Sequence, residues 1–382
     1  DDYDENYWIS FTVQYLVPKI IINSPDANNQ IYNIIQSFSI NKRFEIYKKL
    51  ENSIIKNNQH LKKVNMIQLK QIKRFLKIIN VDTISEQSVE LSKLANVNPI
   101  AVFEECLKQA ESYDMISSLI VESVSGFSSF TLDVLQYSCL KRLQLDRPYM
   151  AADEVNVLPW LAKLTTFIVS VYNLNSFFNI DFIFNNVVEK TLKMEYQGLY
   201  ILKEFLSKTT NSVYLDEPEY NLAVLLEASK ESSVFAKTKL LGHTNKTSSR
   251  LLSLFQQKTN QDDITVAQKL FEILIVWPLD IFYDSFQLVS SINSKYDSIN
   301  TVLRLMIDFI KSSVEGKEFS SIFNLEKFDT ALSVSLFVSN SWRHVLFSKT
   351  SDDVSYLNLD KSDETTTTLV KDFWRYSLEN LA

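Results

Sequence analysis

The chain has 382 residues, of which 46% are hydrophobic and 22% are charged. This is ordinary globular usage, so a fibrous protein and a chain that is disordered throughout are excluded. The formal net charge of −7 argues against a protein that coats nucleic acid with its whole surface, and it leaves room only for a local basic patch.

Glycine is scarce: the four residues are Gly126, Gly198, Gly242 and Gly316, against an average usage of about 7%. Sheet proteins and phosphate-binding folds use glycine in hairpins, bulges and loops that need positive φ angles. The scarcity therefore favours helices joined by short turns of other residues. It also leaves no glycine-rich loop for a nucleotide or for a hydrolase nucleophile.

The sequence shows no basic-then-apolar signal segment, and no apolar run approaches the about 20 residues that a membrane-spanning helix needs. We therefore expect a soluble protein without a membrane partner. The chain does not begin with methionine, and we expect it to be part of a longer polypeptide. Cys106 and Cys139 lie on apolar helical stripes, so we expect buried, inert thiols in a reducing compartment.

Apolar residues recur at helical spacing along almost the whole chain, with prolines and polar clusters between them. The best strand candidate runs from Leu332 to Val338, but Phe337 breaks its alternation and a helix fits equally well. We predict an all-α fold, an irregular α-solenoid of stacked antiparallel helix pairs. Its parts are an upstream helical segment with a basic face (1–97), a helical-repeat middle domain (98–240) and a continuing helical array (241–382).

Basic residues are concentrated between Asn41 and Lys77, where eleven Lys or Arg residues accompany only Glu45 and Glu51. In the helix predicted within this region, apolar residues share one face: Leu61, Val64, Leu69, Ile72, Phe75, Leu76 and Ile79. The basic residues on the opposite side form the candidate site: Lys62, Lys63, Lys70, Lys73, Arg74 and Lys77. Such a patch would bind RNA phosphates or an acidic partner, and the alternative is the solvated face of a helix.

The stretch from Asn98 onward predicts three tightly connected helices. Asn98 is suited to an N-cap and Pro99 to the first helical position. The first helix has a buried stripe at Phe103, Cys106, Leu107 and Ala110. The second helix ends near Gly126. The third begins at about Ser129 and places these residues on one face: Leu132, Leu135, Cys139 and Leu143.

Polar segments predict breaks between helices at three places. Pro148 and Pro159 bracket a turn-rich, exposed loop. The segment from Asn211 to Tyr220 is a second break. The segment from Leu241 to Ser249 is a third, in which Gly242 is suited to a helix C-cap.

The residues that enzymes and metal sites need are sparse. His60, His243 and His344 are the only histidines, and none has a second His, Cys or acidic cluster at metal-ligand spacing. Three tryptophans are spaced for packing rather than base stacking: Trp277, Trp342 and Trp374. We therefore expect no catalytic activity, no metal, no cofactor and no small-molecule substrate.

The order of motifs between Asn98 and Lys208 resembles a known family. The matching positions are Pro99 with Ile100, Tyr113 with Asp114, Ser129 to Leu135, Trp160 to Leu164, and Leu202 to Glu204. Phe373 and Trp374 resemble a further element of the same family. The family is that of the largest subunit of the THO complex, and the Asn-, Ile- and Lys-rich sequence resembles a fungal version.

This resemblance implies a large nuclear helical scaffold that assembles the other THO subunits and positions a DEAD-box RNA-dependent ATPase. It would couple transcription elongation to the packaging and nuclear export of messenger RNA. The middle portion of the family is similar to the helical-repeat domain with which translation-initiation scaffolds hold their own DEAD-box ATPase. Two alternatives stay open: an unrelated α-solenoid that serves as a transport or coat scaffold, and an RNA-binding module that acts through the basic helices between residues 42 and 77.

Overall fold

A computed structural model describes these residues: 5–20, 24–210, 245–258, 264–283, 289–313 and 322. They are helical apart from connecting loops, and the described part of the chain contains no strand, only two isolated bridges. The chain divides into two compact units. The first comprises Asp1–Ala151 and Val157–Ile183, and the second comprises Ala152–Asn156 and Phe184–Ala382.

The helices of the first unit are α1 (Glu5–Phe11), α2 (Pro25–Ile35), α3 (Ile40–Lys49), α4 (Ile55–Asn57), α5 (Gln59–Lys77), α6 (Ile84–Val97), α7 (Pro99–Ala110), α8 (Asp114–Ser123), α9 (Ser129–Leu143) and α10 (Pro159–Leu174). A π-helical segment, Leu50–Ile54, joins α3 to α4. The second unit contains α11 (Asp181–Leu192) from residue 184 onward, α12 (Tyr196–Thr210), α13 (Asn245–Phe255), α14 (Val266–Tyr283) and α15 (Val289–Ser313).

Helices in the first unit pack on their neighbours in sequence. α6 packs on α7 and α7 on α8, while α5 also contacts α7, α6 contacts α8, α7 contacts α9 and α8 contacts α10. Each of these helices therefore contacts the helix that follows it in sequence, the second helix after it, or both. Stacked helical repeats produce this pattern of contacts. The predicted all-α, helical-repeat class is confirmed.

The three helices predicted after Asn98 are confirmed at their boundaries. α7 begins at Pro99, and the Asn98 side chain caps it by accepting a hydrogen bond from the Ala101 N–H at 3.2 Å. The predicted stripe is fully buried: Phe103, Cys106, Leu107 and Ala110. α8 is followed by a 3-10 turn that ends at Gly126, and α9 begins at Ser129.

α9 forms the centre of the first unit and is buried on more than the one face that we predicted. The polar side chains of Asp133 and Gln136 are buried as well, because α9 contacts α2, α3, α6, α7 and α10. The ring centroid of Phe130 lies 5.7 Å from that of Tyr32 and 6.2 Å from that of Tyr47. Aromatic rings from three helices therefore meet around α9.

The loop predicted between α9 and α10 is confirmed, and a charged cluster holds it. Glu111, the C-cap of α7, accepts hydrogen bonds from Arg142 at the end of α9 and from Arg147 in the loop. The Arg147 guanidinium lies 3.5 Å over the ring of Trp160, in the first turn of α10. This cluster links α7, α9 and α10.

The described glycines do not supply the positive φ angles of the turns, although Gly126 does lie in the turn between α8 and α9. Positive φ angles occur at Glu154 (53°) and Met194 (59°), and at none of the described glycines. Gly198 instead allows close packing, because a Cβ at this position would lie 2.7 Å from the backbone nitrogen of Thr191. Glycine is used here for lack of space and not for its unusual φ range.

In the second unit, α15 packs on α12, α13 and α14. The ring of Phe255 lies 5.3 Å from that of Phe184 and 5.8 Å from that of Phe309. Trp277 is buried, so its predicted role in packing is confirmed. The helices of this unit thus share an aromatic core.

One predicted break in the second unit is partly wrong. α13 begins at Asn245, inside the polar segment from Leu241 to Ser249 that we expected to separate helices. Thr247 and Ser248 are buried in its first turn. Asn, Thr and Ser favour helix starts as well as loops, and this polar segment begins a helix.

Some predictions fall outside the described residues: the strand candidate from Leu332 to Val338, the break from Asn211 to Tyr220, and His243, His344, Trp342, Phe373 and Trp374. The division at residues 97/98 and 240/241 stays a prediction. Within the described residues, no helix combines the length and the apolar character needed to cross a membrane.

Candidate functional site

The candidate basic patch lies on α5, whose other face is fixed to the first unit. Asn58 caps the helix by accepting hydrogen bonds from the N–H groups of His60 at 2.9 Å and Leu61 at 3.2 Å. The residues buried on its inner face are Leu61, Ile72, Phe75 and Leu76. This face packs on α4 and α7, so the orientation of the outer face is set by the core.

All six predicted patch residues are exposed on α5: Lys62, Lys63, Lys70, Lys73, Arg74 and Lys77. α5 carries no acidic residue. Lys73 is partly neutralised, because its Nζ lies 3.5 Å from a carboxylate oxygen of Glu105 on α7. The other five have no ion-pair partner among the described residues. The patch therefore keeps a concentrated positive charge that can attract an anionic partner.

Sequence reasoning missed the apolar part of this surface. Met66 is 49% exposed and Ile67 is 58% exposed, and Ile78 at the end of the helix is exposed too. Met66 lies one turn from Lys62 and Lys70. A signal was present in the sequence, since Met66 and Ile67 fall on the basic side of the helical wheel. The outer face of α5 is therefore both basic and apolar.

Arg43, which belongs to the same basic stretch of sequence, points into the core instead. Its guanidinium lies 3.6 Å from a carboxylate oxygen of Asp133 on α9, and Tyr47 donates a hydrogen bond to this carboxylate at 2.7 Å. Burial raises the pKa of Asp133 above its usual range, while the Arg43 charge and the Tyr47 hydrogen bond oppose the shift. Arg43 therefore ties α3 to α9 and adds nothing to the surface patch.

The two acidic residues of the basic stretch also have partners. Glu45 pairs with Lys49 one turn further along α3, at 2.9 Å. Glu51 pairs with Lys141 of α9 and accepts a hydrogen bond from Tyr137 at 3.2 Å. Both carboxylates are thus used within the first unit, and neither lies on α5.

An open cleft of about 440 Å³ lies between α3 and α9. Its walls include Phe44, Lys48, Tyr137, Leu145 and Phe182. Leu145 and Lys48 are exposed at its rim. Aromatic side chains line part of this open cleft beside charged ones, so it can receive an apolar side chain of a partner.

The cysteines are confirmed as core residues. Cys106 and Cys139 are fully buried, and burial raises the pKa of both thiols far above its usual range. Both thiols are therefore protonated near neutral pH, and a protonated thiol is a poor nucleophile. His60 is exposed on α5, and no cluster of His, Cys, Asp and Glu suited to a metal ion occurs in the described part of the chain.

Two family models match the chain. Residues 91–165 match a family described as a transcription- and export-related complex subunit. Residues 1–88 match the N-terminus of THO complex subunit 2. The second match contains α5 and its patch.

Known proteins extend this similarity. THO complex subunit 2 of Saccharomyces cerevisiae is 26% identical over 400 aligned positions, which cover 98% of this chain and 24% of the relative. The Homo sapiens protein of the same name is 23% identical over 167 positions, which cover 43% of this chain and 10% of the relative. The Arabidopsis thaliana protein of the same name is 21% identical over 199 positions, which cover 52% of this chain and 11% of the relative. The chain thus spans a quarter or less of the length of these relatives.

Proposed function

The chain is related to THO complex subunit 2, as the motifs after Asn98 predicted, and we propose that it forms part of a non-catalytic scaffold of the THO complex. In this proposal the scaffold organises other THO subunits and positions a DEAD-box RNA-dependent ATPase in the nucleus. It thereby couples transcription elongation to mRNP assembly and messenger RNA export. The yeast similarity over 98% of the chain carries the proposal, and it favours a THO subunit over an unrelated transport or coat scaffold.

The fold supports a role in binding. Long-range contacts hold the helices of the first unit in place, among them the buried pair of Arg43 and Asp133 and the cluster around Glu111. Such a framework presents helix faces and open clefts at fixed positions. A partner that docks on pre-positioned surfaces loses less conformational entropy than one that must order them.

A scaffold can regulate an ATPase without chemistry of its own. The two lobes of a DEAD-box ATPase open and close during its cycle, and a helical edge that holds them shifts this equilibrium only if it binds one state more tightly. Allosteric coupling of this kind is typically about 1–3 kcal/mol, which corresponds to roughly 5–150-fold in affinity. The scaffold therefore has to discriminate between the two states.

Co-expression with the other THO subunits tests the assembly part of this proposal. The chain should co-elute with them in size-exclusion chromatography, with a mass by light scattering that fits a defined complex. The control is the same chain carrying Phe130→Asp, which places a charge in the fully buried centre of the first unit. A helical, monomeric chain that never joins the complex would contradict the proposal.

A further inference from the structure

The outer face of α5 combines a concentrated positive charge with exposed apolar side chains. Its exposed residues include Met66, Ile67 and the five cations that have no ion-pair partner in the part of the chain that the structure describes. Met66 has Lys62 and Lys70 one turn on either side, and Ile67 has Lys63 and Lys70 at the corresponding positions. Each exposed apolar side chain is thus framed by lysines.

The charges on α5 are also unfavourable for the helix itself. Lys70 with Arg74 and Lys73 with Lys77 are like-charge pairs four residues apart, and such pairs destabilise a helix. A solvated face normally intersperses glutamates that relieve this repulsion, but α5 has none. A partner that supplies acidic groups would relieve it.

The apolar residues decide between the classes of acidic partner. RNA would neutralise the lysines, but its phosphates would leave Met66 and Ile67 uncovered. Phe75 is buried, and the imidazole of His60 lies in the first turn of α5, six residues before Met66, so no aromatic ring lies between the lysines that flank Met66 and Ile67. An amphipathic helix with acidic residues beside its apolar stripe can match both features at once.

We infer that the outer face of α5 docks an acidic amphipathic helix of another subunit, with apolar residues over Met66 and Ile67 and carboxylates facing the flanking lysines. This inference rests on the proposed scaffold function, because it names one surface through which the scaffold binds a partner. The partner helix carries Asp or Glu one turn before and after its apolar anchors. Its carboxylates pair with Lys62 and Lys63 at one end and with Lys70 and Arg74 at the other.

Photo-cross-linking in the assembled complex tests this inference. Benzoylphenylalanine is placed at Ile67 of the full-length protein in cells, and the cross-linked peptide is mapped by mass spectrometry. The matched control position is Ile34 on α2, which is 47% exposed and whose helix packs on α6 and α9. We expect a cross-link from position 67, and not from position 34, to a segment whose apolar residues alternate with Asp and Glu at helical spacing.

Charge reversal then separates this contact from simple proximity. Lys63→Glu with Lys70→Glu should reduce the cross-link yield by about tenfold or more, since each reversal replaces attraction by repulsion. The matched control is Lys19→Glu with Lys93→Glu, which reverses two exposed lysines outside α5, one in the 3-10 turn Val17–Lys19 and one on α6, and should leave the yield unchanged.

The outcomes are distinct. A cross-link to RNA, to a segment without acidic residues, or to nothing would overturn the inference. Assembly of the complex is measured in parallel by co-purification. If the complex assembles but position 67 stays without its acidic partner, only the assignment of α5 fails. If the wild-type chain does not assemble, the scaffold function itself fails.

Discussion

The cluster around Glu111 yields a quantitative prediction about the framework of the first unit. The Glu111 carboxylate is only 6% exposed and accepts hydrogen bonds from Arg142 Nε at 2.8 Å and from Arg147 Nη1 at 2.8 Å and Nη2 at 2.6 Å. Glu111→Gln keeps the size of the side chain. It removes the charge and directs an amide NH2 group at two guanidinium groups.

The expected loss of stability follows from this geometry. Removing one partner of a buried ion pair costs about 3–5 kcal/mol. The side chains of Arg142 and Arg147 are 19% and 24% exposed, so water can solvate part of the positive charge that the substitution leaves without a partner. We therefore expect Glu111→Gln to lower the free energy of unfolding by about 2–3 kcal/mol.

The assay is urea unfolding followed by circular dichroism, with Glu104→Gln as the control. Glu104 is exposed on the same helix, and its replacement should stay within about 0.5 kcal/mol of the wild type. A Glu111→Gln variant as stable as Glu104→Gln would show that the Glu111 cluster does not stabilise the fold. It would mean that the attraction within the ion pairs only equals the free-energy cost of removing their charges from water.

The pH dependence gives an independent check. Burial raises the pKa of Glu111, but hydrogen bonds from Arg147 and Arg142 and their charges outweigh burial and hold the pKa below its usual range. Because the folded-state pKa is the lower one, the stabilisation is present above the unfolded-state pKa of about 4.3 and is lost as the pH falls through the folded-state value. The stability difference between wild type and Glu111→Gln should therefore shrink in this acidic range.

Two further predictions concern packing. Gly198→Ala should lower the free energy of unfolding of the second unit by about 1–3 kcal/mol, because the added Cβ would clash with the backbone of Thr191. Urea unfolding measures this change, and unchanged stability would show that α11 and α12 can move apart to make room. Cys106 and Cys139 should not react with a thiol reagent at pH 8 in the folded chain and should both react in denaturant, since burial keeps them protonated. Rapid labelling of either thiol in the folded chain would contradict its place in the core.

Local signals predicted much of this fold. Asn98 and Pro99 start α7 for local reasons. The Asn98 side chain accepts a hydrogen bond from the free N–H of Ala101, and Pro99 has no N–H that needs a partner. The inner face of α5 was predictable for a similar reason, since its apolar residues recur at helical spacing. These properties depend on neighbours along the chain.

The features that escaped prediction depend on residues far apart in sequence. Asp133 is a charged residue and would be expected on the surface. It is buried because the packing of α3 on α9 places Arg43 and Tyr47 beside its carboxylate. Met66 and Ile67 differ from Asp133, because they are apolar residues that lie on the surface. Their apolar character suggests burial, whereas their place on the basic side of the helical wheel predicts the exposure that the structure shows.

If this part of the protein helps to position a DEAD-box ATPase, it must bind that enzyme, and the test is titration of the folded chain into the nuclear DEAD-box ATPase of the same organism. Binding and RNA-dependent ATP turnover are recorded together. We expect a dissociation constant of about 1 μM or lower and a changed turnover rate. No binding and no change in turnover by a chain that circular dichroism shows to be helical would contradict the claim.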